Sequence, residues 1–316
     1  MKSVHSFGRF ALVLAICLAS VPSTRAQEAG ADETVLYQTW FGANSQGMQD
    51  KALEAAKAYL EKFPKGQYAA YLKNWMMGPK LQAFNTALQA KNIDEMVKVG
   101  RDILTMDPEN LGIHYAIAFN IRRLELAASP ANFGHAKEAV EFSQSSIKLI
   151  EGGKVIEGGK FNKDASLAIL WQIQALVAAD AKKTDEAVAL YTKSSASDPG
   201  NAGIVAYNLL ALASLHKAPY DAAVGVYRAF PDADRSAATL SPEVKAALDA
   251  VYAKADPLID DWARFVALTR ARNLAAETRE QVLASLKTVY GTRYAGDVTG
   301  LEPLLTKLQA EYAPKS

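Results

Sequence analysis

The chain has 316 residues, with 35 Lys and Arg against 34 Asp and Glu, 22% charged residues and a single cysteine. A formal net charge of +1 gives no electrostatic reason to expect a nucleic-acid or anionic-membrane partner. One cysteine forms neither an internal disulfide nor a zinc–thiolate site, so stability is expected to come from packing, for which this length is sufficient.

The first 26 residues have the pattern of a secretory signal peptide. Lys2 and Arg9 precede an apolar run from Phe10 to Val21, and small residues lead to Ala26. The run is too short to span a bilayer as a permanent membrane anchor. We therefore predict a signal peptide over residues 1–26, cleavage near Ala26, and a periplasmic or secreted mature protein.

Cys17 raises the alternative of a lipoprotein signal. The residue before it is Ile16, where a small residue is required, so removal of the signal is favoured over lipidation. The signal holds three basic and no acidic residues, which leaves 32 Lys and Arg against 34 Asp and Glu. The mature chain is then nearly neutral and free of cysteine.

The rest of the chain predicts helices throughout. It is rich in Ala, Leu, Lys, Glu and Gln, and its apolar residues recur at intervals of three and four without convincing alternation. The apolar runs Ala165–Ala179 and Gly203–Leu215 are shorter than the roughly 18 to 20 residues needed to cross a bilayer. We predict an all-α protein whose mature chain has no integral membrane segment.

One pattern, a helix followed by a proline stop, occurs repeatedly. The segments Asp94–Asn110 and Asp185–Asn201 agree at six positions with identical spacing, and related segments begin near residues 50, 137 and 221. From the second copy onward, an apolar helix precedes each segment, so the repeating unit is a helix, a turn and a helix. The matched pairs are Asp94 and Asp185, Glu95 and Glu186, Val97 and Val188, Asp107 and Asp198, Pro108 and Pro199, Asn110 and Asn201.

The residue types of the repeat have a physical explanation. A small residue at Ala187 lets a paired helix approach closely, and Tyr191 fills the gap one turn later. Asp198-Pro199 ends the helix, because proline restricts the residue before it and offers no backbone donor. Asn201 is predicted to cap the next helix.

These residues resemble the tetratricopeptide repeat (TPR), a 34-residue helical hairpin. The fourth copy matches best, the fifth keeps Ala223 and Tyr227, and the second departs from the pattern at Met96 and Gly100. It stays open whether the early copies are true repeats or similar α-hairpins. The matching residues of the fourth copy are Trp171, Ala175, Ala187, Tyr191, Ser194 and Pro199.

The resemblance implies a right-handed α-solenoid whose concave surface is lined by the first helix of each pair. We divide the mature chain into an N-terminal segment (27–47), an array of about five hairpins (48–232) and a C-terminal helical cap (233–316). Within the cap, Ser241-Pro242 and Asp256-Pro257 each predict a capping residue followed by proline at the first helical position. Helices are expected near 242–254, 257–273, 277–290 and 301–312.

Aromatic residues have two expected roles. Trp75, Trp171, Trp262 and Tyr191 are expected to fill cores between hairpins. Trp40-Phe41, in an otherwise polar segment, is expected either to dock on the first hairpin or to mark an interface.

No enzyme motif is found in the sequence. HExxH, CxxC and GxSxG are absent, and His114, His135 and His216 lie in three different repeats. We therefore predict a protein without catalytic residues, cofactor or metal. An enzyme built from residues distant in sequence is the less favoured alternative.

The implied function is binding of a protein or peptide partner on the concave surface, with cell-envelope assembly as one setting. The residues predicted to bind are polar or aromatic members of first helices, although each alone could be an ordinary solvated residue. The alternative is a small-molecule or glycan-binding protein with its ligand between the array and the cap. The predicted binding residues are Asn120, Arg123, Gln172, Tyr207 and Asn208.

Overall fold

The computed structural model describes residues 24–156, 159 and 161–313, and within these ranges it contains helices and no strand. The all-α prediction is confirmed for this part of the chain. The predicted signal peptide up to residue 23, with Cys17, lies outside the described residues. The chain forms two compact units, the first ending at Pro79 and the second beginning at Lys80.

The first unit contains α1 (Thr24–Ser45), α2 (Gln49–Lys62) and the start of α3 (Ala69–Gln89). Small residues of α2, Ala52 and Ala56, are fully buried, so α1 can lie close to α2. Trp40 of α1 is 1% exposed and docks in this core, whereas its neighbour Phe41 is 57% exposed. The predicted N-terminal segment therefore belongs to the same unit as the first repeat helix.

Pro79 lies inside α3, and the division between the two units falls at this residue. Proline removes one backbone hydrogen bond from a helix and crowds the preceding turn. The rest of α3 belongs to the second unit.

The second unit continues with helices joined by short turns and by two longer segments, 127–135 and 152–162. These are α4 (Ile93–Leu104), α5 (Leu111–Ile121), a π-helical turn (Arg122–Leu126), α6 (Ala136–Glu151), α7 (Lys163–Asp180), α8 (Thr184–Ser197) and α9 (Ala202–Arg228). The predicted helix starts near residues 94, 137 and 185 agree with α4, α6 and α8, and in the first unit the start near residue 50 agrees with α2.

Asparagine begins four of these helices. Each side-chain oxygen accepts a hydrogen bond from the backbone N–H three residues later, at 3.0 to 3.3 Å. Such caps satisfy one of the donors that a helix start leaves without a partner. The predicted cap at Asn201 is confirmed, and the other three are Asn92, Asn110 and Asn162.

Neighbouring helices pack in chain order, α5 on α6, α6 on α7, α7 on α8 and α8 on α9. The alternate helices α5, α7 and α9 also contact one another in sequence. Gly100 departs from the repeat pattern for a packing reason, because a Cβ there would lie 2.5 Å from Ile117 Cδ1 and 3.2 Å from Phe84 Cε2. A larger residue would push α4 away from its neighbours.

The fifth predicted hairpin is wrong. Its two expected helices, Gly203–Leu215 and the segment from Asp221, are one continuous helix, α9, with Pro219 inside it. The sequence between them offers no glycine to make a turn. Burial of Val205, Leu209 and Tyr220 in one core keeps α9 helical through the proline.

The C-terminal region contains α10 (Asp232–Arg235), α11 (Pro242–Ala271), α12 (Ala276–Arg293) and α13 (Leu301–Tyr312). The predicted cap at Ser241 is confirmed, since its Oγ accepts a hydrogen bond from the Val244 N–H at 3.3 Å. The predicted break at Asp256-Pro257 is wrong, because α11 continues through Pro257. Buried residues before and after it, Val251 and Leu258, keep one apolar face of the helix in the core.

Among the aromatic residues expected in cores, Trp262 and Tyr191 are buried, and Trp75 and Trp171 are half-buried. The Lys193 ammonium lies 3.5 Å from the centre of the Trp171 ring and covers part of it. Across the described helices, none combines the length and apolar character needed to span a membrane.

Candidate binding site

Two of the predicted binding residues meet in a buried polar network. Gln172 of α7 and Asn208 of α9 are both 0% exposed, and Gln172 Nε2 donates to Asn208 Oδ1 at 2.6 Å. Asn208 Nδ2 donates to Ser194 Oγ at 2.8 Å and to Ser195 Oγ at 3.0 Å, both in α8. The amide groups therefore tie three consecutive helices together, and we call Gln172, Asn208 and Ser194 the amide network.

The two amides are separated by an offset that also occurs between repeated segments of the sequence. Gln172 and Asn208 are 36 residues apart, the same offset that separates the Asp185 and Asp221 segments. Equivalent positions of successive repeats lie side by side when the repeats stack. A buried amide without a partner is costly, so two facing amides stabilise each other.

Arg122 extends this network towards the surface. Its Nε donates to Gln172 Oε1 at 2.7 Å, and one of its Nη groups donates to the same oxygen. The guanidinium carbon lies 6.0 Å from the centre of the Tyr207 ring. Gln172 thus holds Arg122 in one orientation, and Asn208 in turn holds Gln172.

Sequence reasoning selected Arg123 and missed its neighbour Arg122, which follows the end of α5. Arg122 is the first residue of the π-helical turn, and the Ala127 N–H donates to its carbonyl at 2.9 Å, which is the i to i+5 bond of a π-helix. The Arg122 N–H itself still donates to the Ala118 carbonyl, so its backbone continues α5. The Arg122 side chain bonds Gln172 of α7, while Arg123 is exposed and donates to Asn120 Oδ1 at 3.0 Å.

The Arg122 guanidinium is a half-buried positive charge. Among the described residues, no carboxylate oxygen lies within 4.0 Å of it, although many other arginines of the chain have such a partner. Burial lowers the pKa of Arg122, but an arginine stays protonated in proteins. Within the described residues, neutral dipoles are the groups that contact this positive charge.

Tyrosines complete the surroundings of Arg122. Tyr115 of α5, Tyr191 of α8 and Tyr207 of α9 lie near the Arg122 guanidinium. Burial raises the pKa of the Tyr115 and Tyr207 phenols, so both are neutral at ordinary pH. A guanidinium has five N–H donors, and Gln172 uses two of them. The remaining donors suit a carboxylate or phosphate group.

The other predicted binding residues are divided between core and surface. Asn120 is 6% exposed, and its Nδ2 donates to the Ala116 carbonyl at 2.8 Å. Gln172 and Asn208 have no exposed surface, so the prediction that they contact a partner directly is wrong. Their polar groups form hydrogen bonds with side chains of neighbouring elements. Arg123 is exposed and Tyr207 is 38% exposed, and for these two direct contact with a partner stays a prediction.

Each of the three histidines in the described residues has a partner within the chain. His114 Nε2 lies 3.0 Å from the Pro108 carbonyl, His216 Nδ1 lies 2.7 Å from Asp261 Oδ2, and His135 lies between two carboxylates. In the described part of the chain, no three His, Cys, Asp or Glu side chains are arranged to hold a metal ion.

No protein-family model matches the sequence. No curated protein sequence matches it either. The functional interpretation therefore depends on the geometry around Arg122 and on the repeat pattern.

Proposed function

We propose that the mature chain is an exported, non-enzymatic scaffold of the TPR type that binds a protein or peptide partner. The binding surface would be formed by the first helices α5, α7 and α9 of the second unit. A setting in cell-envelope assembly is part of the proposal. The partner would lie across these helices as an extended segment or a helix.

The packing of small residues supports a TPR-like array within the second unit. Ala175 and Ala187, the small positions of the fourth copy, are both 0% exposed where α7 meets α8. Ser194, at a third small position, donates its hydroxyl to the Ala168 carbonyl at 2.7 Å. Stacked helix pairs of this kind need such residues for close approach, and the contacts between alternate first helices fit the same arrangement.

The observation that carries the proposal is the charge of Arg122. A half-buried cation without a carboxylate partner is costly unless something else compensates it. Two buried side chains of the amide network, Gln172 and Asn208, hold this guanidinium in place. An acidic group on a partner would supply a negative charge that the described residues around Arg122 do not provide, through two parallel hydrogen bonds.

The small-molecule or glycan alternative places a ligand between the repeats and the C-terminal helices. That seam, between α9 and α11, is filled by apolar side chains. Val205 and Leu209 of α9 share one core with Leu258 and Trp262 of α11, and all four are buried. The scaffold proposal is therefore the better supported of the two.

Binding of a defined acidic peptide tests the proposal. The probe is an acetylated and amidated octapeptide of alternating Glu and Ala with a pH-insensitive rhodamine label, followed by fluorescence anisotropy. Arg122→Gln is expected to weaken binding about ten-fold or more, as for loss of a charge-assisted pair of about 1.5–3 kcal/mol. Arg228→Gln, which removes an exposed arginine at the end of α9, is the matched control and should bind like wild type.

Crosslinked co-purification from the native envelope then identifies the natural partner. Capture by wild type and by Arg228→Gln, with loss in Arg122→Gln, is the expected result. Equal peptide affinity of wild type and Arg122→Gln, with unchanged circular dichroism, would refute the assignment of the site.

A further inference from the structure

A second charged cluster is attached to the same π-helical turn as Arg122. Glu125 belongs to this turn and is 8% exposed. His135, in the loop before α6, places Nδ1 3.0 Å from both Glu125 carboxylate oxygens and Nε2 3.0 Å from Asp94 Oδ1. Asn132 Nδ2 also donates to Glu125 Oε1, at 3.1 Å. His135 thus bridges the π-helical turn and the start of α4.

This bridge requires a charged imidazole. Both ring nitrogens face carboxylate oxygens, which only accept hydrogen bonds, and a neutral imidazole has a single N–H. Only the imidazolium donates to Glu125 and Asp94 together. Neutral His135 would turn a nitrogen lone pair towards one of the two carboxylates.

The surroundings of His135 favour protonation. The charged groups that face the ring are Asp94 from α4 and Glu125 from the π-helical turn; from its own loop comes the polar Asn132. Lys137 and Glu138 follow at the start of α6, and within the described chain neither is bonded to the ring. Burial opposes the charge, but hydrogen bonds with Asp94 and Glu125 outweigh it, so the pKa of His135 is raised above its ordinary value.

The two carboxylates respond differently to loss of the proton. The Asp94 side chain is 91% exposed and can turn to water, whereas Glu125 is enclosed and would keep the remaining N–H of His135. Deprotonation is therefore expected to break the link to α4. The turn then keeps its contacts with its own loop, such as the Asn132 N–H donating to the Glu125 carbonyl at 3.1 Å, and loses its tie to the neighbouring helix.

Arg122 and Glu125 lie three residues apart on this five-residue turn. On one side, Gln172 fixes the Arg122 side chain, and on the other, His135 fixes the Glu125 side chain. A π-helical turn has fewer favourable backbone contacts than an α-helix and depends on such support. Movement of Glu125 would be transmitted to the position of Arg122 through this short segment.

We propose that protonated His135 anchors the π-helical turn to α4 and thereby holds Arg122 in its binding position, so that anionic ligands bind more tightly when His135 is charged. This inference rests on the proposed function, since it concerns regulation of the same site. The stabilisation is fully present below the unfolded-state pKa of about 6.5 and is lost as the pH rises through the higher folded-state pKa.

The pH dependence of acidic-peptide binding tests the inference. The glutamate probe described above keeps its charge between pH 6.0 and 8.5. Wild-type protein is expected to bind it about five-fold more weakly at pH 8.5 than at pH 6.0, which corresponds to about 1 kcal/mol. His135→Gln and Asp94→Asn should each reduce this ratio to about one, because neither retains the charged bridge. Asp94→Asn changes an exposed side chain and should leave the fold intact.

His216→Gln is the matched control, because it removes another histidine–carboxylate pair, with Asp261, far along the sequence from the turn. This variant should keep the five-fold ratio. A five-fold ratio that persists in both His135→Gln and Asp94→Asn would overturn the inference while leaving Arg122-dependent binding in place.

Hydrogen exchange separates failure of the regulation from failure of the binding site. If Arg122→Gln binds the probe as wild type does at every pH, the proposed function fails, and the anchor is tested without ligand. Amides of residues 123–135, corrected for intrinsic exchange, should lose protection in wild type between pH 6.0 and 8.5. In His135→Gln they should already be less protected at pH 6.0. Equal protection in both proteins at both pH values would overturn the anchor itself.

Discussion

Replacement of Asn208 by alanine removes the centre of the amide network. The change leaves Gln172 Nε2 without its acceptor at 2.6 Å and takes the amide donor from the Ser194 and Ser195 hydroxyls. Because Gln172 is fully buried, water cannot replace the lost partner without opening the contact between α7 and α9. We therefore expect Asn208→Ala to destabilise the second unit.

The magnitude follows from two contributions. A buried donor left without a partner costs about 1–3 kcal/mol. The space vacated by the amide adds a cavity contribution of about 1 kcal/mol. The sum, about 2–4 kcal/mol, should lower the melting temperature by roughly 4–16 °C in a domain of this size.

Thermal and urea unfolding followed by circular dichroism measure this loss. Asn85→Ala is the matched control, since Asn85 is an exposed residue of α3 within the second unit and its loss should change stability by less than about 0.5 kcal/mol. The double variant Gln172→Ala with Asn208→Ala should lose less than the sum of the single losses, because it leaves no orphaned amide between the two positions. A melting temperature of Asn208→Ala equal to that of Asn85→Ala would refute the buried network.

Two further pairs of substitutions test the helix packing. Ala187→Trp should destabilise by about 1–3 kcal/mol or more through overpacking between α7 and α8, whereas Ala189→Trp, on the exposed side of α8, should be nearly neutral in urea unfolding. Gly225→Ala, with open space around the new Cβ, should stabilise α9 by about 0.5–1 kcal/mol. Gly100→Ala should show no such gain, because its Cβ would meet Ile117; equal gains at the two glycines would contradict the close approach of α4.

Local features of the helices could be predicted from the sequence. Helix starts at Asn201 and Ser241 were found because a capping residue acts within three residues of its own position. The starts of α2, α4, α6 and α8 followed from the repeated pattern for the same reason. Such signals depend on short-range hydrogen bonding and need no knowledge of the neighbouring helices.

Two continuous helices show where local reasoning fails. Breaks were expected between Leu215 and Asp221 and at Asp256-Pro257, yet α9 continues through Pro219 and α11 through Pro257. A proline inside a helix costs about 3 kcal/mol or more. Burial of several apolar side chains on each side, about 1.5–3 kcal/mol each, exceeds that cost. Only the contacts between α9 and α11 decide whether each helix continues through its proline.

The binding site depended on both levels. The sequence by itself determined an all-helical chain and predicted Gln172 and Asn208 as polar residues of two successive first helices. Only the tertiary structure decided that these amides are buried and that Arg122, rather than Arg123, is the oriented cation. The physical reason is that burial and side-chain contacts depend on the neighbouring helices, so the choice between two adjacent arginines has no signal in the local sequence.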